Sequence, residues 1–152
     1  MRHWATGITA RSLLAATVVV MAAAMPGAVA AREAQKRVVD STIELAGSQE
    51  VPAVATEAKA KLRITVIEDR SVLATLATQG IEATGVHFHE GAAGKVGDPF
   101  LTFVKRAPDL WITPTGAQLT EAQFKSLKAG RVYINVHSAK HPDGELRAQI
   151  KP

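Results

Sequence analysis

Apolar and polar residues alternate along much of this chain with a period of two, the spacing of a half-buried strand, on which successive side chains point to opposite faces. Residues 59–68 give the clearest run: Leu62, Ile64 and Val66 share one face, and Lys61, Arg63 and Thr65 share the other. Glu68-Asp69-Arg70 then turns the chain into a second run, residues 71–78, and the two are expected to form a hairpin. Six more strands are expected at residues 42–46, 85–90, 100–105, 110–113, 131–138 and 145–150. In the last two, Val132, Ile134, Val136, Leu146, Ala148 and Ile150 face inward, whereas Tyr133, Asn135, His137, Glu145, Arg147 and Gln149 face the other way. His141-Pro142-Asp143-Gly144 between them has the chemistry of a tight turn, so they form a C-terminal hairpin.

One segment departs from this alternation. Thr120, with Gln123 three residues on, is a capping box that satisfies two orphan amides of a helix start. Leu119, Phe124 and Leu127 supply an apolar stripe, and Lys128 and Gly130 suit a helix C-terminus. About eight short strands with one short helix predict an all-β fold, an antiparallel β-sandwich or a barrel-like arrangement.

The first 30 residues have a different character. Arg2, His3 and Arg11 make a basic start, residues 13–25 are apolar, Pro26 and Gly27 break any helix, and Ala28-Val29-Ala30 offers small residues for cleavage. Residues 1–30 are therefore expected to be a signal peptide removed after about Ala30, leaving a periplasmic or secreted protein. The apolar run is shorter than the roughly 20 residues that cross a bilayer, so no stable membrane insertion is expected after cleavage. Residues 31–41 are mostly polar and charged and are expected to be a flexible lead. Residues 42–152 are then one β domain, large enough to bury a core.

The 152 residues contain no cysteine, which excludes a disulfide and thiol lipidation. The formal charge of +4 drops by two once Arg2 and Arg11 leave, and basic residues are interspersed with acidic ones. No run of like charge suggests a nucleic-acid partner or a membrane-binding arm.

The candidate chemistry lies with the histidines. His87 and His89 alternate on one expected strand, so both imidazoles share a face about 7 Å apart along the strand, while Val86 and Phe88 serve the core. His137 likewise falls on the outer face of its strand. Such a pair with a third histidine from a neighbouring strand suits Zn²⁺ or Cu²⁺, because imidazole ligates both ions and strands hold ligands rigidly. The same residues also serve as ordinary polar groups of a sheet surface, hydrogen-bonded across strands, and the pairing of the two strands is not readable from the chain. Glu90, Asp98, Asp143, Glu145 and His141 lie near these segments and are weaker ligand candidates, better read as turn or surface residues. The chain has no G-x-S-x-G elbow, no H-E-x-x-H, no phosphate loop and no G-x-G-x-x-G, so no catalytic residue and no organic cofactor is expected.

Three ordered motifs carry a family resemblance. Leu45-Ala46-Gly47-Ser48-Gln49-Glu50-Val51-Pro52, Val86-His87-Phe88-His89-Glu90-Gly91, and the stretch from Leu119 through Asn135-Val136-His137 to Gly144-Glu145-Leu146-Arg147-Ala148-Gln149 together resemble the CHRD domain, named for chordin and also found in bacterial exported proteins. The resemblance covers about residues 42–150. It implies an all-β extracellular domain and singles out Glu50, Pro52, His87, His89, Asn135, His137, Gly144, Glu145 and Arg147 as positions that match the family pattern. His141 departs from it, since the family usually has a small polar residue there. In animals such domains sit in an antagonist of secreted growth factors, a setting that does not carry over to a single-domain exported protein. More weakly, residues 85–90 look like the copper-ligand strand of copper–zinc superoxide dismutases, although this chain lacks their cysteines and most of their further histidines.

Three functions are compatible with these features. The first is an exported protein that binds Cu or Zn through His87, His89 and His137. The second is a non-catalytic module that presents its surface to an envelope or extracellular protein or polymer, with structural histidines. The third is a superoxide-dismutase-like metalloenzyme.

Overall fold

The computed structural model describes residues 35–152. The expected signal peptide and the first residues of the lead lie outside this range. Nine strands and one α-helix follow: β1 (Arg37–Leu45), β2 (Lys59–Ile67), β3 (Val72–Gln79), β4 (Ala83–Glu90), β5 (Pro99–Thr102), β6 (Val104–Ala107), β7 (Leu110–Ile112), α1 (Glu121–Lys128), β8 (Val132–Ser138) and β9 (Leu146–Ile150). They build two antiparallel sheets, β1-β2-β3-β7-β6 and β5-β4-β8-β9. The fold is thus the all-β sandwich that the alternation predicts.

The inner faces supply the core. Leu62, Ile64, Val66, Ala74 and Leu76 from one sheet meet Val86, Phe88, Ile134, Val136, Leu146 and Ala148 from the other, all at most 2% exposed. Phe88 packs edge-to-face on Phe103, with centroids 5.0 Å apart, an arrangement that sets the positive edge of one ring on the negative face of the other. The capping box of α1 forms as expected: Thr120 Oγ1 accepts from the Gln123 amide, and the Gln123 side chain accepts from the Thr120 amide.

Three expectations are corrected. The first strand begins at Arg37, so residues 37–41 of the supposed flexible lead are ordered in β1. Val39 enters the core while Asp40 pairs with Arg37 and Arg63 on the exposed face, so the part of β1 before Thr42 is held by one buried side chain and an ion network. Residues 100–105 are two strands, not one. Phe103 is buried between them, and there the chain leaves the sheet where β5 pairs with β4 and enters the one where β6 pairs with β7. A second link between the sheets is the Ala46–Arg147 bridge, with N···O distances of 3.0 and 3.2 Å.

The third concerns Glu145, expected to be a turn or surface residue. Tyr133, Asn135, Glu145 and Arg147 do point away from the apolar core, yet they are buried. Residues 91–98 fold back across the outer face of the sheet over Tyr133, Arg147 and Gln149, while Asn135 donates to the Asp143 carbonyl and Glu145 accepts from the Thr56 and Ser138 hydroxyls. Arg147 Nη2 donates to the Lys95 carbonyl at 2.7 Å, Gln149 Nε2 donates to the Gly91 carbonyl at 2.9 Å, and Tyr133 hydrogen-bonds both the amide and the carbonyl of Gly97. This strap shields a second, polar layer, in which Tyr133, Arg147 and Gln149 find partners among strap backbone groups, while Glu50 Oε1, Asn135 Oδ1, Arg147 Nη1 and Gln149 Oε1 are buried without a hydrogen bond.

Candidate metal centre

Antiparallel pairing of β4 with β8 is the relationship that the sequence left open. The register sets His137 opposite Gly85, Asn135 opposite His87 and Tyr133 opposite His89. All these side chains stand on the outer face, so His137 is diagonal to His87, within reach of a long side chain. The three imidazoles converge: one ring nitrogen from each of His87, His89 and His137 lies within 4.8 Å of the others.

Gly85 makes room for this convergence. A Cβ at that position would come 3.1 Å from His87 Cε1, 3.6 Å from His87 Nε2 and 3.8 Å from His137 Cδ2. The absent side chain lets the His87 ring lie toward the β8 histidine.

Two of the rings are oriented from behind. His89 Nδ1–H donates to the Gly97 carbonyl at 2.8 Å, and His137 Nδ1–H donates to the Pro142 carbonyl at 2.8 Å. A donor bond at Nδ1 leaves the lone pair on Nε2, which is how a ligating histidine is usually prepared. His137 Nε2 then accepts from His87 Nδ1–H at 2.9 Å. His89 Nε2 has no such partner; it is buried without a hydrogen bond. Burial also holds His87 below the ordinary imidazole range, aided by the proximity of His137 and His89. Burial lowers His89 too, although the Gly97 carbonyl and the nearby Asn135 side chain oppose the shift. Both shifts favour the neutral ring, the form that binds metal.

This donor set fits a transition-metal ion. Nitrogen ligands sit about 2.0–2.1 Å from Zn²⁺, and the three ring nitrogens, at most 4.8 Å apart, would have to draw closer to hold one. A ring hydrogen bond satisfies His87 and His137 without an ion, but it leaves His89 Nε2 stranded, and an unmet buried acceptor costs about 1–3 kcal/mol.

The other acidic and histidine candidates do not join the site. Glu90 is exposed and accepts from the Ser126 hydroxyl at 2.5 Å. Asp98 and Asp143 are exposed. Glu145 is buried, bonded by the Thr56 and Ser138 hydroxyls; burial alone would raise its carboxyl, but these bonds together with the charges of His141 and Lys140 hold it below the usual range. His141 stands outside the histidine cluster, and its carbonyl closes the β8–β9 turn by accepting from the Ser138 and Gly144 amides.

Several residues around the centre were not readable as site residues from periodicity. Tyr133 stacks on His89, with centroids 4.8 Å apart and planes 17° apart, and the Arg147 guanidinium lies 3.5 Å over the Tyr133 ring. Beyond Arg147, Glu50 is buried against Gly144, where a Cβ would fall 2.6 Å from Glu50 Oε1. Burial pushes the Glu50 carboxyl up to about 7, against the opposing pull of Arg147 and the Val51 amide. The resemblance singles out Glu50, Asn135, Gly144 and Arg147, and the fold brings them together in one polar layer.

Comparison with curated proteins and with solved structures gave no significant match. A family model described as the CHRD domain matches residues 41–150, a span that runs from β1 through β9 and contains all three histidines. The chain therefore belongs to the CHRD domain family.

Proposed function

We propose that this CHRD domain protein binds a transition-metal ion, copper or zinc, through His87, His89 and His137, and that it does so outside the cytoplasm. The observation that carries the reading is the convergence of three imidazoles, with one ring nitrogen of each within 4.8 Å of the others and His89 Nε2 buried among them without a hydrogen bond. Loading an ion exchanges the His87–His137 hydrogen bond for coordination and gives His89 Nε2 the partner it lacks. Three protein ligands leave a position on a tetrahedral ion for an exchangeable ligand. The leader pattern of residues 1–30 and the lack of cysteine support handling of copper or zinc in an oxidising compartment by imidazole alone.

Melting curves of the purified protein with and without Zn²⁺ or Cu²⁺ test the reading. An ion at 100 times its dissociation constant should stabilise the fold by about 2.7 kcal/mol. The shift should vanish in His89→Ala and shrink in His87→Ala and His137→Ala. A wild type that melts at the same temperature with either ion, or histidine variants that respond as fully as wild type, would sink it.

A further inference from the structure

Behind the centre stands a stack that spans three strands: imidazole of His89 on β4, phenol of Tyr133 on β8, guanidinium of Arg147 on β9. We infer that Tyr133 is a positioning residue of the metal centre, fixing the Gly97 carbonyl that aims His89, with Arg147 holding the phenol and the strap in place. The inference rests on the metal reading and adds how the site is kept in register.

The geometry around Gly97 carries it. The Tyr133 hydroxyl accepts from the Gly97 amide at 3.1 Å and donates to the Gly97 carbonyl at 3.3 Å, so one phenol grips both backbone groups of the residue. The same carbonyl accepts from His89 Nδ1–H at 2.8 Å. Gly97 is pressed so close to β4 that a Cβ would lie 1.6 Å from the Glu90 carbonyl oxygen. No side chain can anchor this point of the strap from within, and the grip comes from outside, through Tyr133. Arg147 completes the brace: its Nη2 donates to the Lys95 and Ala92 carbonyls at 2.7 and 3.4 Å while its plane covers the phenol. Its fork and flat face do two tasks that a lysine cannot combine.

If Tyr133 acts this way, removing one oxygen should change the proton position on a different residue. Imidazole nitrogen NMR of the metal-free protein should show His89 in the Nδ1–H tautomer in wild type and a mixture of tautomers in Tyr133→Phe. Zn²⁺ affinity in the same variant should fall about 10- to 100-fold, the usual cost of losing an outer-shell partner. His137→Ala should also weaken Zn²⁺ binding, yet leave the His89 tautomer as it was. Should Tyr133→Phe fail to fold, Arg147→Lys loosens the same brace and is expected to move both readouts in the same direction. Unchanged tautomer and unchanged affinity in a folded Tyr133→Phe would overturn the inference while leaving the metal reading intact. A wild type that takes up no Zn²⁺ while Tyr133→Phe still shifts the tautomer would remove the metal reading and leave the orienting role of Tyr133 in place.

Discussion

His87 Nδ1 and His137 Nε2 lie 2.9 Å apart although fifty positions separate them in the chain. The contact exists because β8, paired with β9 on one edge, lies beside β4 on the other. Gly85, opposite His137 in the ladder, is the residue that lets the two rings meet.

Gly85→Ala is accordingly a local probe of the centre. The added methyl meets the rings of His87 and His137 first, and the backbone there has no left-handed conformation for a side chain to strain. The expected result is weaker Zn²⁺ binding with thermal stability of the metal-free protein changed by less than about 1 kcal/mol, since a small surface-facing change seldom exceeds that. Calorimetric titration together with a melting curve reads both.

Acid should weaken the metal-free fold through the same histidines. Folding depresses the affinity of His87 and His89 for protons, mainly by burial. The unfolded chain therefore binds more protons below its ordinary value of 6.5, and stability is lost as pH falls from about 6.5 through the lower folded values. Urea melts across this range should show it, and His87→Gln should flatten the slope.

Glu50 contributes with the opposite sign. Its carboxyl, raised from 4.5 to about 7, holds a proton in the fold that the unfolded chain has already released. That contribution is complete below pH 4.5 and is lost as pH rises through 7, by at most about 3 kcal/mol for a shift of this size. Glu50→Gln keeps an uncharged side chain of the same shape and should abolish this loss. A difference in stability between variant and wild type that does not grow from pH 5 to pH 8 would contradict it.

Phe103 makes the heaviest structural demand. It is 3% exposed, it packs on Phe88, and its amide donates to the Val86 carbonyl at 2.9 Å, all at the point where the chain changes sheets. Phe103→Ala should cost about 3–5 kcal/mol, the range for truncating a buried aromatic. Chemical denaturation measures it.

The sequence predicts the strands that alternate strongly, the capped helix and the three histidines, because each of those features is local. It did not reveal β1 before Thr42, since the charges of Arg37 and Asp40 mask the alternation around Val39, and only pairing with β2 shows that those charges neutralise one another. It did not reveal the break at Phe103, because an apolar residue between two extended segments reads as their continuation. Nor did it place Tyr133 and Arg147 beside the site. Polar residues on the outer face of a strand read as solvent-facing, and only a loop distant in sequence, residues 91–98, turns that face into an interior. Strand adjacency and loop coverage are long-range facts, which a period of two cannot encode.

The strap over that polar layer works through carbonyls of Gly91, Ala92, Lys95 and Gly97, while the side chains of Ala92, Ala93, Lys95 and Val96 stand in solvent. The stretch can therefore be rewritten at Ala93 or Val96, for instance with a fluorophore or a spin label, without touching a hydrogen bond to the histidine face. A reporter could thus sit within one loop of the centre and leave its chemistry undisturbed.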